Sequence, residues 1–374
     1  MFGGCTLAGR LCLAATLLSS CLRAEEAATE VVVIATQHFI TDLPEGYTPG
    51  HLRALLDKVN PQVLAVEAPT NLINPWAQAP FELAKVTKPW AEERGAEVVP
   101  AGWYEAGYER GLSEMFREFE AQGKMPEYRA AEKTFQEESG KQPLTCEFLN
   151  SDAGHALWRE YHAKLRELYG KETPWETWNE KIARRVLAMC SENSGKTVAV
   201  VFGAAHCYYL LDRLSAEQGI TLRPTQEFSP LSREEVEKET RARDYLLALR
   251  LLNYGALAPG VLNRMEGILE KVKETGQFSG DHDLFRGKYL LHRGKALEAL
   301  EAFLAVARRD AKEVSAFDGV TVLREAGLVY AAIAKDRLGR REEARADLEG
   351  ILVMNWVSDL TKEWVKGILA GMEP

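Results

Sequence analysis

Cysteine is scarce where this chain folds. Three of its six cysteines (Cys5, Cys12, Cys21) fall in an N-terminal leader-like stretch, leaving Cys146, Cys190 and Cys207. An odd, widely spaced set excludes a disulfide framework, and leaves at most one bridge that spacing does not assign. Basic patches are missing too. The formal net charge is −9 and no Lys/Arg stripe appears, which argues against a nucleic-acid partner. No HExxH, P-loop, GxSxG or CxxC occurs, removing the zincin, nucleotide-binding and serine-hydrolase readings. What remains is an ordinary globular balance, 46% hydrophobic and 27% charged over 374 residues, enough for two domains.

Residues 1–24 read as a secretory signal: Arg10, an apolar core from Leu11 to Leu18, then small residues, too short to span a membrane. Leu18-Ser19-Ser20-Cys21 also fits lipoprotein processing, with Cys21 as the lipidated first residue; cleavage after Ala24 is the alternative. Either route predicts an exported protein, periplasmic, extracellular or held at a membrane only by its lipid.

Two similar phrases stand some 170 residues apart: VVVIATQH ending at His38, and TVAVVFGAAH ending at His206. Each is a β-branched apolar run closed by small residues and a histidine. Such runs read as strands buried on both faces, as in parallel sheets, whose carboxyl ends receive ligands. Strands are expected at Val31–Thr36, Val63–Glu67, Glu97–Ala101, Thr197–Phe202 and Ile220–Leu222. A helix opens at Thr48-Pro49 with Leu52, Leu55, Leu56 and Val59 as its buried stripe, and another covers Phe81–Arg94 with a break at Pro89. The alternation predicts an α/β domain over 30–228 with a mainly parallel sheet. A helical insertion is expected at about 103–194, interrupted at Pro126, Gly140–Pro143 and Pro174.

From residue 232 to 374 the pattern is helical only. Leu284–Phe303 and Leu328–Leu352 read as hairpins resembling tetratricopeptide units: Gly294 and Gly339 at the turns, then Ala299 and Ala344 where helices pack closely. Such an all-α, helical-hairpin domain braces a neighbour or binds a protein partner.

Three polar residues close apolar strands: His38, Glu67 and His206. A carboxylate ending a buried strand is costly unless paired or bound to a cation. Gly203 suits a sharp strand-to-helix turn, and the helix end behind His206 favours an anion or hydroxide. Glu105, after Trp103 and Tyr104, is the candidate for a general base or a further ligand. Cys207 adjoins His206, but neighbours on a helix point apart, so the two do not form a nucleophile pair.

The segments Ala35-Thr-Gln-His38, Pro61-Gln-Val-Leu-Ala-Val-Glu67 and Gly203-Ala-Ala-His206, with the helix around Trp178-Asn179-Glu-Lys-Ile182, resemble the TraB/Tiki/ChaN/erythromycin-esterase superfamily. Its hallmarks are two Gly-x-x-His motifs and a glutamate after the second strand. Here Ala35 replaces the first glycine, and Trp178 stands where an arginine is common. The resemblance implies a metal-assisted hydrolase of peptide or ester bonds, an esterase, or a haem-binding surface lipoprotein. Under the first, a divalent metal ion is held by His38, Glu67 and His206; under the last, haem is the cofactor and the protein is a binder. An inactive scaffold is the third reading.

Overall fold

The computed structural model describes residues 27–38, 45–77 and 79–372; the expected leader with Cys21 lies outside them. In chain order the first unit carries β1 (Thr29–Thr36), α1 (Pro49–Val59), β2 (Val63–Pro69), a π-helical turn (Leu83–Thr87) running into α2 (Lys88–Arg94), and β3 (Glu97–Gly102). Five helices follow: α3 (Tyr108–Ala121), α4 (Met125–Gly140), α5 (Cys146–Leu149), α6 (Asp152–Tyr169) and α7 (Pro174–Glu192). Then come β4 (Thr197–Gly203), α8 (Ala204–Ser215), β5 (Ile220–Leu222) and α9 (Arg233–Glu239).

The five strands form one sheet in the order β3-β2-β4-β1-β5, every pair parallel. Its centre is the two phrases that matched in the sequence. Val31 to Ala35 of β1 and Val198 to Phe202 of β4 are at most 1% exposed, as strands covered on both faces must be. Their register sets Thr36 beside Gly203, so the two strands end level.

Topology explains why a site forms there. From β1 the chain crosses over β4 to reach β2; from β4 it crosses over β1 to reach β5. Right-handed crossovers running in opposite directions cover opposite faces, so the segments leaving β1 and β4 part from each other. The gap at their carboxyl ends is the switch point of the sheet.

Local chemistry accounts for the helices. Leu52, Leu55 and Leu56 of α1 are fully buried, as their spacing requires. Pro174 opens α7 behind a capping box in which Thr173 and Glu176 exchange hydrogen bonds. Pro89 has no N–H to continue an α-helix, and the chain widens into the π-turn just before it. The segment between β3 and β4 is helical, with α7 packed on β3 and α8, and α6 packed on α8. Cys146, Cys190 and Cys207 are buried free thiols, so none of them is bridged.

The main division of the chain falls between Val236 and Glu237, inside α9 and a few residues beyond the joint expected at about 232, and Glu45–Gly50 group with the second unit. The second unit is helical: α10 (Ala242–Ala248), α11 (Pro259–Glu274), α12 (Ser279–His292), α13 (Ala296–Ala307), α14 (Leu323–Arg337), α15 (Arg341–Leu352) and α16 (Asp359–Gly371). Gly294 and Gly339 sit at its turns with φ of 73° and 77°, the left-handed region where glycine avoids a Cβ clash. Ala299 and Ala344 are fully buried. Among the described residues no helix is long and apolar enough to cross a membrane.

Candidate functional site

His38 stands two residues past β1, Glu67 near the end of β2, and His206 in the first turn of α8. The switch point brings these three expected side chains together. Glu67 Oε1 lies 3.5 Å from His206 Nε2 and 3.8 Å from His38 Nε2. Its other oxygen, Oε2, accepts the Gly203 N–H at 2.7 Å. The amino end of α8, expected to attract an anion, is thus met by the protein's own carboxylate.

Both imidazoles are held from behind. Asn179 of α7, fully buried, donates from Nδ2 to the Trp175 carbonyl at 3.0 Å. That bond orients the amide so that Oδ1, at 2.8 Å, accepts from His206 Nδ1–H. Nε2 of the same ring then faces Glu67 Oε1. On the other side, His38 Nδ1 meets Glu82 Oε1 at 3.1 Å, and the Thr36 hydroxyl donates to the same oxygen at 3.4 Å. Glu82 is fully buried, and its Oε2 has no protein partner. Trp175 stacks on the His206 ring at 4.5 Å between centroids and 20° between planes.

Charge completes the picture. For His38, desolvation lowers the pKa, but the hydrogen bond to Glu82 and the charges of Glu67 and Glu82 outweigh it, raising the value to about 9. Desolvation works against ionised Glu67, yet His206, His38 and the Gly203 N–H together hold its pKa below the ordinary carboxylate value. The two histidines differ in access: the His38 side chain is 46% exposed, His206 only 4%. His38 is therefore the solvent-accessible side of the trio.

Gly203 earns its place differently from the expectation. Its φ of −55° and ψ of 139° are open to any residue. The constraint is space, because a Cβ there would stand 3.1 Å from His38 Cε1 and 3.2 Å from Glu67 Oε2. The residue aligned with it in the first motif region, Ala35, is a buried strand residue whose N–H donates to Asn150 Oδ1 at 2.7 Å, and its backbone asks for no glycine.

Glu105 is engaged elsewhere. It pairs with Lys181 and accepts weakly from the Gly107 N–H at 3.4 Å. The Lys181 bond is the main reason its pKa is lowered. Among the described residues no hydrogen bond or ion pair joins it to His38, Glu67 or His206. Cys207 is buried, and burial followed by the charge of Glu67 pushes its thiol well up, leaving it protonated.

Two contributors were not anticipated in these roles. Glu82 sits in an amphipathic stretch where an acid reads as solvated, and the π-turn that follows accompanies its inward placement. Asn179 lies in the recognised helix, but only its bond to His206 reveals its use.

Two imidazoles and a carboxylate are donor types that a divalent cation accepts. Nitrogen or oxygen ligands sit about 2.0–2.2 Å from zinc, so two that share an ion stand at most roughly 4.4 Å apart; the two separations from Glu67 Oε1, 3.5 and 3.8 Å, fall within that limit. Histidines backed at Nδ1 by a carboxylate or amide, with Nε2 turned inward, are the usual ligand arrangement. Among the described residues no group of three or more His, Cys, Asp and Glu is placed so that it could hold a metal ion, so the trio would have to rearrange to take one. Compared with protein-family models, curated proteins and solved structures, the chain matches none.

Proposed function

We propose that the first unit is a metal-dependent hydrolase of peptide or ester bonds, with His38, Glu67 and His206 as the residues that hold the ion. The observation that carries the reading is the meeting of two Nε2 atoms on one Glu67 oxygen, each imidazole being fixed from behind. A bound divalent ion would acidify water toward neutrality and polarise the scissile carbonyl. The protein supplies the rest. Asn179 and Glu82 fix the ring planes, and Gly203 N–H anchors Glu67 so that Oε1 alone faces the histidines. Half-exposed His38 lies on the side open to a substrate, and its Nδ1 bond to buried Glu82 holds the ring in place. Glu105, tied to Lys181, has no part in this proposal.

The remaining roles follow the sequence. The protein is exported, anchored through a lipid on Cys21 or released by cleavage after Ala24. Its helical second unit, read as tetratricopeptide-like hairpins with turn glycines Gly294 and Gly339, offers a surface to a protein partner. The test uses the full mature chain, stripped with chelator and reloaded with zinc or manganese, against 4-nitrophenyl esters and a peptide mixture. Hydrolysis should appear on reloading and fall at least about a hundredfold in His206→Ala, in line with the loss of a catalytic-centre group. Equal rates with and without metal would refute the reading. A Soret band on haem titration, coupled with no metal uptake, would shift it to the binder.

A further inference from the structure

A chamber lies beside the trio, walled mainly by the helices between β3 and β4, with Ala205 of α8. It encloses about 340 Å³, within the range of small-molecule sites, and Tyr108, Phe116, Tyr128, Trp158, His162 and Trp175 are among its walls. None of the side chains lining it is charged.

His162 is the anomaly in this chamber. It is 8% exposed, and neither ring nitrogen has a protein hydrogen-bond partner. Burial, with a smaller contribution from His206, lowers its pKa to about 3, so the ring is neutral and offers one N–H and one lone pair. Buried polar groups are nearly always satisfied, and an unmet one costs about 1–3 kcal/mol. The ring cannot turn away to find partners within the protein. It is stacked on Trp175 at 4.9 Å and 2°, on Tyr208 at 5.7 Å and 15°, and on Trp158 at 6.0 Å and 17°. A phenylalanine would fill the same slot without that cost, so packing alone does not explain a histidine here.

We propose that this chamber binds an uncharged aromatic molecule carrying a hydroxyl or carboxamide, its ring against the aromatic walls and its polar group on His162. The walls favour a flat apolar ring, since offset or edge-on aromatic pairs gain beyond simple burial. The absence of charged walls disfavours ions, which would lose hydration without compensation. His162 supplies one donor and one acceptor, which a hydroxyl or a carboxamide complements. Trp175 stacks on both His162 and His206, so the ligand would rest one ring away from the trio. The proposal does not depend on metal or on hydrolysis.

Calorimetry on the full chain, stripped of metal, tests it with benzamide and 4-hydroxybenzamide, against cyclohexanecarboxamide and benzoate. The two aromatic amides should bind at least tenfold more tightly than the non-aromatic amide or the charged acid. His162→Phe keeps the stack and deletes both nitrogens; it should cost benzamide about tenfold and leave toluene binding unchanged. Leu112→Trp, which fills the chamber from its wall, should abolish binding of both while the far-ultraviolet circular dichroism stays native. His38→Ala should bind benzamide as wild type does, separating this site from the fate of the metal reading. Equal affinity for all four probes, no heat with any, or an unchanged benzamide affinity in His162→Phe would overturn it.

Discussion

Gly203→Ala isolates the geometry of the site from the strength of the fold. The backbone there has φ −55° and ψ 139°, so alanine brings no backbone strain and the entire effect is steric. The added methyl would stand 3.1 Å from His38 Cε1, 3.2 Å from His38 Nε2 and 3.2 Å from Glu67 Oε2, where carbon contacts settle at about 3.5–4.0 Å. Something must yield by a few tenths of an ångström. Glu67 is pinned by the N–H of Gly203 itself at 2.7 Å, and freeing that buried carboxylate costs about 1–3 kcal/mol. His38 is half exposed and can swing outward for less. The expected stability loss is therefore about 1 kcal/mol, the low end for overpacking. Displacing a ligand ring should still cost roughly 10- to 100-fold in metal affinity, as loss of ligand support does elsewhere. Urea unfolding of metal-free protein reads the first quantity, and zinc titration against a competing chelator reads the second. Gly95→Ala is the control. Its φ of 72° makes the cost purely backbone, about 1 kcal/mol, with zinc binding unchanged. A Gly203→Ala protein with wild-type zinc affinity would refute the reasoning.

Five further outcomes are expected. Asn179→Ala leaves His206 Nδ1–H unmet in a buried position, so chemical denaturation should show a loss of about 1–3 kcal/mol and calorimetry a weaker metal. In metal-free protein His38 has a folded pKa of about 9 against 6.5 unfolded, so its contribution to stability is complete below about 6.5 and fades as pH rises through 9. Glu67 behaves oppositely: its pKa is lowered from 4.5, so its contribution is present above that value and is lost as pH falls through the folded one. A histidine Cε1 proton titration by NMR checks the His38 value, and Glu82→Gln should move it down; an unchanged midpoint would discount the Glu82 bond. In the second unit, Gly327→Ala would put a Cβ 2.5 Å from Ala307 N and 2.9 Å from Phe303 O, forcing α13 and α14 apart at about 2–3 kcal/mol, readable as a lowered urea midpoint.

What the chain reveals of itself before folding is the local part. The β-branched runs of β1 and β4, the Leu52-Leu55-Leu56 stripe of α1 and the three polar residues at strand ends follow from periodicity, and each stands where expected. The supporting groups do not. His38 and Glu82 are 44 residues apart, His206 and Asn179 27, and no local pattern says which carboxylate or amide will stand behind a ring. Glu105 shows the converse: its position after β3 suggested the site, but Lys181, 76 residues on, captured it. Even Gly203, legible as a glycine that matters, matters for a neighbour's side chain and not for its own φ.

The most direct test is metal content. Full-length protein purified without chelator, beside His38→Ala, Glu67→Gln and His206→Ala, is measured by elemental mass spectrometry after exchange into metal-free buffer with limiting zinc. Near-stoichiometric zinc is expected in the wild type and a loss of at least about tenfold in each variant, as removal of a ligand from a three-residue site requires. Wild-type zinc content in both histidine variants would contradict it.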